Sequence, residues 1–133
     1  MFMNKKVFLG IAAFIVIIAV AFAARYLYQL KKYKDMVSNI QLSGINLSTL
    51  ENGVYTGSYN AVMIAVDVAV TVNNHKIESI ELIKHEHERG APAEAVIDRV
   101  VESQSLNVDT VSGATNSSRV ILKAIDNALN SEG

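Results

Sequence analysis

The sequence predicts an α+β fold, a small antiparallel sheet with packed helices, preceded by one N-terminal transmembrane helix. Three features carry this. Residues 7–24 form an uninterrupted apolar run, a stretch of β-branched residues at period two ends in an Asn-rich turn, and two later segments have apolar residues at helical spacing. The order strand, hairpin, helix, short strand, helix points to helices packed on an antiparallel sheet. The 133 residues divide into a membrane anchor (1–28), a tether (29–51) and a small domain (52–133).

The apolar run within the anchor reads VFLGIAAFIVIIAVAFAA, without a charge or a strongly polar group. At about 1.5 Å per residue it is roughly 27 Å long, close to the hydrocarbon thickness of a bilayer. A domain of this size has too little chain to surround an all-apolar helix on every side. Lys5 and Lys6 precede the run, and Arg25, Tyr26 and Tyr28 follow it, where amphipathic rings suit the membrane–water interface. Ala21-Phe22-Ala23 has the pattern of a cleavage site, but the run is longer than a usual signal-peptide core, which favours an uncleaved anchor. Lys5 and Lys6 on one side nearly balance Arg25, Lys31, Lys32 and Lys34 on the other, so charge alone does not set the orientation.

Residues 29–51 begin basic and then scatter polar and apolar positions. Lys31, Lys32 and Lys34 would lie near anionic headgroups. Ser43-Gly44 and Ser48-Thr49 are turn or cap signals, so this segment reads as a tether or a short helix without visible chemistry.

In the domain, Gly53-Val-Tyr-Thr-Gly57 opens a strand. Val62, Ile64, Val66, Val68, Val70 and Val72 then fall on one face of the next, with Met63, Ala65, Asp67, Ala69 and Thr71 on the other. Residues 73–76, Asn-Asn-His-Lys, make a turn, and residues 77–85 return as the second arm of a hairpin. Gly90-Ala91-Pro92 interrupts the chain, with Pro92 suited to the first turn of a helix. Ala93, Val96, Ile97, Val100 and Val101 give that helix its apolar stripe, ending near Gln104. Residues 108–111 read as a short extended piece. A last helix over residues 116–130 buries Ile121, Ile125, Ala128 and Leu129 and exposes Arg119, Lys123, Asp126 and Asn130.

Composition narrows the chemistry. A formal charge of -1 argues against nucleic-acid binding, which needs a basic face. With no Cys, the chain has no disulfide, thiolate metal site or Cys nucleophile. There is no Trp, and Phe2, Phe8, Phe14 and Phe22 all belong to the anchor, so an apolar cleft in the domain would depend on Tyr55, Tyr59, aliphatic side chains and backbone. His85, Glu86, His87 and Glu88 are proper metal-ligand types, but a closed site takes four ligands and no third is evident, so no metal is expected.

The segment with chemistry is residues 108–118, VDTVSGATNSS. Ser112, Gly113 and Ala114 form a small-residue turn, and Thr115 sits where the last helix begins. A Thr there can cap the helix. The same place is also a ready anion site, with backbone N–H groups and the positive end of the helix dipole. Gly113 and Ala114 leave room for a bulky group, and Ser117 and Ser118 add hydroxyls in the first turn.

Asp109-Thr-Val-Ser-Gly-Ala-Thr115 resembles the flavinylation motif of the FMN-binding domain family, found in the C subunit of the sodium-pumping NADH:quinone oxidoreductase and the G subunit of the Rnf complex. The resemblance runs from about residue 53 to 129 and takes in the Gly-x-Tyr-x-Gly opening, the hydrophobic hairpin, His85 at a strand end and the Thr115 helix. It implies FMN held covalently on Thr115 through a phosphoester, attached by a Mg²⁺-dependent flavin transferase that uses FAD and releases AMP. It further implies an extracytoplasmic domain on a single-pass anchor in the cell membrane, moving electrons between a membrane donor and acceptor. Within that picture Asp109 holds the loop by capping backbone N–H groups, or helps position Mg²⁺ or the threonine during flavin transfer. His85 becomes a hydrogen-bonding or stacking partner of the flavin ring. His75 departs from the family, which usually has Gly in the hairpin turn, and Ser117-Ser118 stands where Thr-Ser is common. The short chain resembles the stand-alone members of the family. No nucleophile–base pair is evident, so a carrier fits better than an independent enzyme. A flavin-binding sensor or accessory module without electron flux, and a structural anchor with an unmodified motif, are the alternatives.

Overall fold

The computed structural model describes residues 4–86 and 91–130. Helix α1, Lys5–Ser38, is a single unbroken helix whose first turn is capped by the Asn4 side chain, which accepts from Lys6 N at 3.1 Å. It is long and apolar enough to cross a membrane, and its apolar stretch is not buried by the rest of the chain. The helix does not stop where the apolar run stops. It continues through residues 29–38, and there Tyr33 and Val37 are buried against the domain. The first part of the expected tether is therefore the end of α1, packed onto the core.

After a single 3₁₀ turn at Leu47–Thr49 come the strands β1 (Gly53–Asn60), β2 (Ala65–Asn73) and β3 (Lys76–Glu86), paired antiparallel in the order β1-β2-β3. The β2–β3 connection is a two-residue turn with both Asn74 (φ 52°) and His75 (φ 61°) left-handed, the conformation that matches the twist of a hairpin. His75 thus holds a left-handed backbone that most side chains avoid, with its Nδ1 3.1 Å from Leu47 O.

Val66, Val68, Val70 and Val72 form the buried face of β2, as their period predicts, and the alternate positions stay half-exposed. Val62 is a correction: it lies before the strand, 39% exposed, at φ 72°. Asn60 Oδ1 accepts from Val62 N at 2.9 Å, and Ala61 N donates to Ile64 O, so the side chain of Asn60 draws the chain into a tight turn where pattern alone would extend the strand.

Strand β3 carries two register shifts, which leave Glu78 and Ile83 without directly opposed partners. Each inserted residue resets the alternation, so that Ile77, Ile80, Leu82 and His85 share the inner side while Ile83 is exposed. At the first shift Gln104, at the end of the next helix, completes the ladder. Its Oε1 accepts from Ile77 N at 2.6 Å and its Nε2 donates to Ile77 O at 2.9 Å.

A 3₁₀ turn at Ala91–Glu94 leads into α2 (Ala95–Ser103), and α3 (Thr115–Asn130) closes the domain. Both helices pack on one side of the sheet, with α3 lying along β1 and β2. The closest approach is at Gly57, where an added Cβ would collide with the backbone of Ala124 and Ala128. Residues 108–111 form no strand; the sheet has three strands and this piece is held by side chains.

The expected exposed face of α3 is also corrected. Asp126 is only 1% exposed, and its carboxylate accepts from Ser43 N (3.2 Å), Lys123 Nζ (3.3 Å) and Asn130 Nδ2 (2.8 Å). Lys123 Nζ also donates to Gln41 O, Arg119 to Ile40 O and Asn130 to Gly44 O. These four side chains lie at i, i+4, i+7 and i+11, one face of a helix. They strap residues 40–44 along α3.

Candidate functional site

The loop before α3 is fixed by side chains at both of its ends. Arg99 donates to Asp109 O at 2.7 Å and to Thr110 O at 3.1 Å. Ser118 is fully buried; its Oγ accepts from Val111 N at 3.0 Å and donates to Ala114 O at 2.8 Å. Ala114 N closes the turn by donating to Val111 O at 2.9 Å. Within it Gly113 is left-handed (φ 81°), with open space where a Cβ would project.

Ser118 N to Ala114 O, at 2.9 Å, is the first helical hydrogen bond of α3. The residue in the capping position is therefore Ala114, whose side chain has no acceptor, and Thr115 is the first residue inside the helix. The amides of Thr115, Asn116 and Ser117 all precede the first ladder bond and open on the same end of the helix. An anion placed on the Thr115 hydroxyl would meet those amides and the positive end of the dipole.

Thr115 is exposed on the lip of a cleft of about 450 Å³, within the range of small-molecule sites. The cleft is bounded by residues 113–117 on one side, by Met63 and Ile64 of the strained β1–β2 turn on another, and by Tyr26, Leu30 and Tyr33 of α1 on the third. Its aromatic rings thus come from α1, and neither Tyr55 nor Tyr59 lines it. A second cleft, about 610 Å³ and lined by aliphatic and polar side chains together, reaches Thr115 from the side of Leu42, Leu106 and Leu122. Thr115 stands on the ridge between the two.

The structure gathers Gly113, Ala114, Thr115 and Ser117 at the first cleft and separates the other expected site residues from it. Ser117 borders the cleft, whereas the single proton of Ser118 is used within the loop. Asp109 and Ser112 face an open depression beside Arg99 and Glu102. The His85 side chain is 3% exposed, with Nδ1 3.6 Å from Glu94 Oε2, and does not line the cleft. His87, Glu88 and Gly90 lie outside the described residues. Among the described residues no group of three or more His, Cys, Asp or Glu is placed to hold a metal ion.

The family model described as the FMN-binding domain matches residues 60–130, more than half of the chain. The chain belongs to the FMN-binding domain family. The match covers the β2–β3 hairpin, both domain helices and the Thr115 loop, and begins after α1 and the strap. Among curated proteins nothing matches the chain. FMN suits the site in this structure: an exposed hydroxyl at a helix N-terminus, a glycine with open space beside it, and an adjoining cleft with two aromatic side chains. Membership was legible in the motif; the part taken by Tyr26 and Tyr33 was not, because both precede the apparent start of the domain.

Proposed function

We propose that the protein is a membrane-anchored, extracytoplasmic flavoprotein that carries FMN as a phosphoester on Thr115 and passes electrons between membrane redox partners. The observation that carries this reading is the position of Thr115, the exposed first residue of α3, at a family motif, beside a left-handed glycine and a cleft of cofactor size. FMN supplies the redox chemistry when bound. The chain supplies the place: the amides of residues 115–117 bind phosphate, and the Arg99 and Ser118 bonds hold the loop in shape. A covalent link keeps the cofactor on the protein without demanding a tight pocket, which agrees with a cleft open to solvent.

The apolar length of α1 supports the anchor, and the family resemblance supports the outer side of the membrane and attachment by a Mg²⁺-dependent transferase that uses FAD. In a host that makes such a transferase, the full chain is expected to run as a fluorescent yellow band on a denaturing gel. Its intact mass should exceed that of the polypeptide by FMN less one water. Thr115→Ala should remove both signals, while Thr115→Ser should retain part of them because its hydroxyl occupies the same place. A colourless wild-type protein from that host would overturn the proposal.

A further inference from the structure

We infer that the anchor helix forms one wall of the flavin seat, with Tyr26 and Tyr33 packing against the isoalloxazine ring. This rests on the proposed attachment of FMN at Thr115. Tyr26, Leu30 and Tyr33 recur at i, i+4 and i+7, so they share one face of α1, and that face borders the cleft across from residues 113–117. The two rings differ in a useful way. Tyr33 is 9% exposed and fixed in the core as the inner end of the wall, while Tyr26 is 52% exposed and forms its outer lip. Opposite them Met63 is presented by the turn in which Val62 holds a left-handed backbone. A β-branched residue rarely takes this backbone, and such strain persists where the surrounding structure requires it.

A flat, polarisable ring gains from aromatic faces and from a thioether, and the first cleft has both. The second cleft has neither a tyrosine nor a methionine, and its one cation, Arg119, is turned to Ile40 O. All three residues of the wall lie before residue 60, so the family match does not include them.

The seat also acquires a position relative to the bilayer. If the hydrocarbon core ends near Ala24, Tyr26 stands about 3 Å and Tyr33 about 14 Å above it along the helix axis. The polar layer of a bilayer is roughly 5–8 Å deep on each side. The outer lip of the seat then lies among the headgroups and its inner end just above them. The unbroken helix and the strap on α3 hold it there.

The experiment is flavin fluorescence decay of the full, flavinylated chain in lipid nanodiscs. Phenol rings in contact with an excited flavin quench it, so the seated ring contributes the short-lived component. Tyr26→Leu leaves the buried Tyr33 and the core intact. It should lower the ratio of short-lived to long-lived emission by about two- to tenfold, the equivalent of one aromatic pair. Leu42→Trp places a stronger quencher beside the second cleft and should leave the decay unchanged. An unchanged decay in Tyr26→Leu, or strong quenching in Leu42→Trp, overturns the inference. So does loss of gel-stable flavin from Tyr26→Leu alone, since Tyr26 would then act in attachment. Absence of gel-stable flavin from the wild type is a separate result, and it removes the proposed function itself.

Discussion

The two flanks of α3 are built on different principles. Toward the sheet the helix presents Val120, Ile121, Ala124 and Ala128, with Gly57 of β1 beneath the last two. Toward the strap it presents Arg119, Lys123, Asp126 and Asn130, each bonded to a backbone group of residues 40–44. The first flank is held by shape, where a single carbon atom matters. The second is held by directional bonds to a segment that has no ladder of its own and must find partners for its peptide groups elsewhere. Both flanks act on the same site, because the first positions the N-terminus of α3 and the second positions α1, which faces it.

The largest effect is expected on the packed flank. Gly57→Ala would place a methyl group against the backbone of Ala124 and Ala128, which cannot swing aside as a long side chain would. Overpacking of this kind costs roughly 2–3 kcal/mol and should fall on β1 and α3 together. Amide exchange of the full chain in detergent measures it: β1 and α3 should lose protection as one unit. Unchanged exchange would mean that the helix can ride outward on the sheet without penalty, and the contrast between the flanks would disappear.

Next comes Asp126→Ala on the strapped flank. It leaves Ser43 N–H, the Lys123 ammonium and the Asn130 amide without their shared acceptor. Hydrogen bonds to a charged group are worth about 1.5–3 kcal/mol, so exchange at Ser43 and its neighbours should accelerate by about tenfold or more. The β2–β3 hairpin should remain protected. Asp126→Asn keeps an acceptor for Ser43 and should lie between the two. If the whole domain loosened together, the strap would be part of the core rather than a separate fastening.

The same contrast explains what could be read from the sequence. The apolar flank was legible because burial repeats with the period of the helix: Ile121, Ile125, Ala128 and Leu129 were expected inside and are inside. The valines of β2 were legible for the same reason, and the Thr115 motif because its residue types are unusual together. The polar flank was misread, since a charged stripe has the same pattern whether it meets water or the carbonyls of a passing segment. Asp126 was expected in solvent for that reason. The aromatic wall escaped notice because the end of an apolar run is a limit of hydropathy, not of the helix; α1 passes through it and brings Tyr26 and Tyr33 to the site. The inward positions of Ile80 and Leu82 and the exposure of Ile83 depend on two bulges, which period-two counting does not foresee; at His85 the two shifts cancel.

The smallest effect separates charge from geometry within the strap. Lys123 Nζ donates to Gln41 O at 2.8 Å and lies 3.3 Å from the Asp126 carboxylate, and its side chain is about one-fifth exposed. Lys123→Met keeps the apolar stem on the helix while removing the ammonium. Part of the ion pair is screened by water, so the loss should be about 0.5–1 kcal/mol, or a rise of roughly two- to fivefold in exchange over residues 40–44. Salt then gives a second reading. In the wild type, raising ionic strength should weaken the strap and bring its exchange toward that of Lys123→Met, while the variant itself should change little. If both respond equally to salt, the ion pair contributes nothing there, and the hydrogen bonds of Asp126 to Ser43 and Asn130 hold the strap by themselves.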